Sequence, residues 1–101
     1  MLDYERRRQT LTVRLKDELD HSSAVRLRGE LDELLQDASI RRLVLDLKKL
    51  SFMDSSGVGF VIGRYKLMAR RGGSVAVMNA DKQTDRIFRM SGLYELVERL
   101  A

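Results

Sequence analysis

Apolar and polar positions alternate from residue 11 to 15, LTVRL, which suits a strand with one buried face. A weaker strand signal precedes it at residues 3–8. The period then changes. Ala24, Leu27, Leu31, Leu34, Leu35 and Ala38 recur at three- and four-residue steps, making one apolar stripe along a helix. Ser22 or Ser23 is placed to cap it, because a serine oxygen accepts from free first-turn N–H groups. Residues 43–47, LVLDL, form a short apolar run interrupted by Asp46, the mark of a strand covered on both sides. A second helical pattern starts at Val58 and continues through Val61, Ile62, Tyr65, Met68 and Ala69, ending at Gly72 and Gly73. SVAVM, residues 74–78, reads as a strand. Residues 81–90 read as a short helix capped by Asp81, with Ile87 and Phe88 inward. Residues 93–100 fit helix or strand.

The order β(β)αβαβα predicts a single α/β domain over residues 1–101, with a largely parallel sheet and helices packed on it. Functional loops in such sheets gather at the carboxyl ends of strands. Here these are 16–23 and 48–57, so adjacent strands would bring Glu18, Asp20 and His21 near Asp54, Ser55 and Ser56.

Composition narrows the chemistry. With 44% hydrophobic and 34% charged residues the chain is globular in type. No apolar run reaches the length of a membrane span, and a cytoplasmic protein without a membrane partner is expected. There is no cysteine and only one histidine, His21, which removes disulfides, thiolate chemistry and the usual zinc sites. No metal or cofactor is expected. The net charge of +4 is spread over Arg6–Arg8, Arg41–Arg42, Lys48–Lys49 and Arg70–Arg71 with acids between, and reads as solvated surface without a direct nucleic-acid role. Arg64 and Lys66 read the same way.

The densest candidate chemistry is LSFMDSSGVGFVIGRYK, residues 50–66. A hydrolase would need Ser55, His21 and one of Asp20, Asp54 or Asp46 in one constellation, yet the G-x-S-x-G elbow is missing. Nucleotide binding would use Gly57 and Gly59, but the dinucleotide fingerprint wants a third glycine where Ile62 stands, and the phosphate-binding loop is absent. A small nucleotide-binding or hydrolytic domain built on Ser55, Gly57 and Gly59 is the alternative reading. Gly59 and Gly63, one turn apart, would otherwise let the helix approach the sheet. Asp20, Asp46 and Asp54 could hold Mg²⁺, although nothing in the spacing fixes that geometry. Ser55 or Ser56 as helix cap, at an end whose N–H groups accommodate added negative charge, is the simplest use of the serines.

The same stretch resembles the signature of the anti-sigma factor antagonists of the STAS domain family, most of all the stage II sporulation type. The likeness runs through Glu18-Leu19-Asp20-His21, Leu43–Leu47, Leu50–Gly57, Gly63–Lys66, Gly72–Met78 and Met90–Leu93. It implies a small α/β domain with a mixed four- to five-stranded sheet and helices mainly on one face. It implies no enzymatic activity. The unmodified chain would bind an anti-sigma factor that is itself a serine kinase carrying the ATP, freeing the sigma factor. The kinase would phosphorylate Ser55, switching binding off, and a separate serine phosphatase would reset it. Asp20, Asp54, Ser56 and Gly57 would form the surroundings of that serine, with Gly57 and Gly59 keeping the helix start slim for a partner, and a place near the partner surface is the alternative to solvated charge for Arg64 and Lys66. Asp17 stands where relatives of this type commonly have glycine.

Overall fold

The computed structural model describes residues 2–101. A hairpin of β1 (Asp3–Arg7) and β2 (Thr10–Leu19) opens the chain. Then α1 (His21–Leu34), β3 (Arg42–Met53), α2 (Ser55–Ala69), β4 (Ser74–Met78) and α3 (Lys82–Met90) alternate. A 3₁₀ turn (Leu93–Glu95) leads into β5 (Glu98–Leu100). The five strands lie in sequence order in one mixed sheet, with β1 antiparallel to β2 and the other neighbours parallel. All three parallel connections step the same way across the sheet. Right-handed crossovers therefore put α1, α2 and α3 on one face, where α1 packs on α2 and α2 touches α3.

The strand period decides the core. Leu11, Val13 and Leu15 of β2, Leu43, Leu45 and Leu47 of β3, and Val75 and Val77 of β4 face the helices and are buried. They meet Leu27, Leu31 and Leu35 from α1, Val61 and Met68 from α2, and Phe88 from α3. The other face carries charge: Arg14 pairs with Asp3 and Glu5, and Arg42 with Glu98.

Several expectations need correction. The strands do not stop at residues 15 and 47; β2 runs to Leu19 and β3 to Met53. The pairing shifts register between Arg14 and Lys16 and between Asp17 and Glu18, and these irregularities break the alternation that marks a strand. The caps are aspartates rather than serines. Asp20 caps α1 and Asp54 caps α2. Ala38 is exposed, and Ile40 closes that end of the core instead. The buried stripe of α2 is Gly57, Phe60, Val61, Arg64 and Met68. Gly72 takes φ 73°, the left-handed turn that ends the helical run.

Candidate functional site

Register Leu19↔Met53 ends β2 and β3 side by side, so Asp20 and Asp54 leave the sheet at the same level. Each strand passes into a helix through that single aspartate. The starts of α1 and α2 thus sit together at the carboxyl edge of the sheet. Asp20 accepts from Ser23 N at 3.0 Å, while Asp20 N donates to Ser23 Oγ at 2.9 Å, a reciprocal capping box. The Ser23 amide, followed by its hydroxyl, holds the Asp20 carboxyl below its ordinary range. Asp54 Oδ1 accepts from Ser56 N at 2.8 Å.

Ser55 is the first residue of α2 and is exposed. Its hydroxyl enters no side-chain hydrogen bond among the described residues. Ser56 behind it is half-buried. Gly57 is buried against the strand ends: a Cβ there would come within 2.4 Å of Met53 Cγ and 3.2 Å of Leu19 Cδ2. Its smallness therefore seats the helix on the core rather than making room for a partner. Gly59 and Gly63 do the reverse of what close packing would need. No heavy atom lies within 4 Å of an added Cβ at either, so both open outward.

The alternative constellations are not assembled. His21 opens α1, is exposed, and shares a groove with Ser56 rather than engaging Ser55 in a hydrogen bond. Asp46 lies back along β3, where it accepts from Asn79 Nδ2 at 2.9 Å and from Lys48 N at 3.0 Å. It is remote from Asp20 and Asp54, and no group of three or more His, Cys, Asp or Glu suited to a metal ion occurs among the described residues. No helix among them is long and apolar enough to cross a membrane.

The groove between α1 and α2 was not evident from the sequence. It has a volume of about 340 Å³ and runs back from Ser56. Val25 and Arg28 line it from α1, and Phe60 and Arg64 from α2. Arg64 is only 5% exposed, against the expectation of solvated charge. Its Nε lies 2.8 Å from Asp32 Oδ1, and its guanidinium sits 5.2 Å from the centre of the Phe60 ring. Burial lowers its pKa, Asp32 opposes that shift and nearby Arg28 adds to it. Its position in the stripe with Gly57, Val61 and Met68 was the available signal.

The sequence model of the STAS domain matches residues 1–101, the full chain. The protein belongs to the STAS domain family. Within it, this STAS protein is 42% identical over 96 residues to the anti-sigma F factor antagonist of Paenibacillus polymyxa, covering 95% of this chain and 82% of the relative. It is 30% identical over 97 residues to the anti-sigma-B factor antagonist of Bacillus subtilis, covering 96% and 87%. Two solved structures of the antagonist SpoIIAA also match at 28% identity over all of this chain. The unphosphorylated form gives a TM-score of 0.85 over 89% of its length, and the phosphorylated form, described as a Bacillus cell fate determinant, gives 0.78 over 92%. The chain is an anti-sigma factor antagonist, a non-enzymatic regulator with the expected mixed sheet, here of five strands.

Proposed function

We propose that this STAS protein acts in the cytoplasm as a phosphorylation-switched antagonist. In its unmodified form it binds an anti-sigma factor that is an ATP-dependent serine kinase, and so releases the sigma factor. Phosphorylation of Ser55 by that kinase ends the interaction, and a separate serine phosphatase restores it. The observation that carries this reading is the setting of Ser55: exposed, free of side-chain hydrogen bonds among the described residues, at the first turn of α2 and beside the capping carboxylate of Asp54.

The electrostatics support a switch that leaves the fold intact. A phosphoryl group adds roughly −1.5 to −2 charges. At a helix start, negative charge is favoured by roughly 0.3–1 kcal/mol. The fold therefore accommodates the group, while Asp20, Asp54 and the phosphate together make the surface strongly negative. The likeness to both forms of SpoIIAA accords with a change in surface charge on one fold. Ser56, tied through its amide to Asp54, shapes the loop, and Gly57 holds it on the strand ends.

Ser55→Asp should weaken binding to the anti-sigma kinase at least tenfold in isothermal titration. Ser55→Ala should bind like the native chain and stay bound when ATP is supplied. Equal affinity of the native and Ser55→Asp chains would refute the charge mechanism.

A further inference from the structure

Two features of the α1–α2 groove point outward. The first is Gly59 and Gly63, one turn apart on its α2 wall, with open space where each Cβ would stand. Glycine inside a helix is less stable than alanine, and no neighbour within the chain requires it at either place. The second is Arg64, whose side chain is 6% exposed and lines the same groove. Its Nε and Nη1 are sealed from solvent without an aligned hydrogen-bond partner among the described residues, as are Asp32 Oδ1 and Glu30 Oε2, and Nε lies 2.8 Å from Asp32. A guanidinium is a fork of donors that matches a carboxylate, and a buried donor left unpaired is costly. Arg28 stands beside it, exposed at the rim, and no carboxylate lines the groove. Val25, 51% exposed, and Phe60 supply apolar wall.

We propose that this groove receives a carboxylate-bearing segment of the anti-sigma factor, its backbone against Gly59 and Gly63 and its carboxylate on the exposed Arg28 at the rim, with Arg64 beneath adding to the positive field. The inference rests on the reading of the chain as a binder of an anti-sigma factor. It also links the groove to the switch. Ser56 lines the groove and Ser55 precedes it in the chain, so a phosphate on Ser55 would place negative charge at the entrance of the groove.

The test uses three alanine substitutions with the same local chemistry. Gly59→Ala and Gly63→Ala fill the groove. Gly29→Ala, on α1 outside the lining, also meets nothing within 4 Å and serves as control. All three should raise Tm. Binding is titrated against the anti-sigma F factor of Paenibacillus polymyxa. Gly59→Ala and Gly63→Ala should each lose at least tenfold in affinity, Gly29→Ala should lose nothing, and Arg28→Gln should lose at least tenfold with a shallower salt dependence. If the native chain fails to bind, the reading beneath the proposal fails and the groove assignment falls with it. If the native chain binds and the groove variants bind equally well, the groove assignment alone is overturned. Loss in all three glycine variants, or no loss in Arg28→Gln, would equally overturn it.

Discussion

At the residue scale, Asp17 shows how a local rule is met at some cost. It holds φ 63° at the irregular end of β2, where its carbonyl accepts from Ser51 Oγ at 2.8 Å. The left-handed region costs an L-residue with a full side chain roughly 1–2 kcal/mol, and aspartate tolerates it better than most. Glycine would adopt it freely. Asp17→Gly is therefore expected to keep or slightly raise stability, whereas Asp17→Val should lose about 1–2 kcal/mol in urea denaturation. Equal stability of all three chains would contradict a left-handed requirement at this position. The left-handed turn at 17 was signalled only through the family resemblance, not by the local pattern of the sequence. The outward openness of Gly59 and Gly63 was not signalled at all, because a glycine's spacing does not reveal which side of a helix it serves.

At the scale of elements, the alternation of strands and helices was readable wherever one period dominated. It failed where two periods fit. Leu93, Leu96, Val97 and Leu100 suit a helix, yet Gly92 at φ 79° starts a 3₁₀ turn and the last three residues before Ala101 join the sheet. A buried carboxylate organises that junction. Asp85 of α3 accepts from Tyr94 Oη at 2.5 Å, Arg99 Nε at 2.8 Å and Arg89 Nη2 at 2.6 Å, linking α3 to the turn and β5. The Tyr94 hydroxyl, then Arg99, holds its carboxyl below the ordinary value of 3.8. At the far end of α1 the Ser39 hydroxyl, helped by Arg6, holds Asp37 down to about 2. Carboxyls depressed on folding stabilise the native state fully above their unfolded pKa, and that contribution is lost as pH falls through the folded one. Tm should therefore hold down to about pH 4 and drop between about 4 and 2. Tyr94 behaves in the opposite sense. Burial, then Asp85, raises it from 10 to about 12, so its contribution is present below pH 10 and lost as pH rises toward 12. A Tm that stayed level across both windows would contradict these assignments.

At the scale of the whole molecule, parallel strands in sequence order bring two aspartate-capped helix starts to one edge of the sheet. Asp20 and Asp54 meet there because β2 and β3 are neighbours, which the strand–helix–strand order anticipated. The groove behind them depends on the pairing of two helices, which no single periodicity reports. On the proposed reading the chain presents Ser55 to a partner's chemistry; in the structure His21 shares a groove with Ser56 and Gly57 faces the core. Intact mass with peptide mapping, after incubation with ATP and a cognate anti-sigma kinase of proven activity, examines this directly. One phosphoryl group on Ser55, present only when the kinase is added, is the expected result. An unmodified chain, or a phosphate placed elsewhere, would contradict the switch at Ser55.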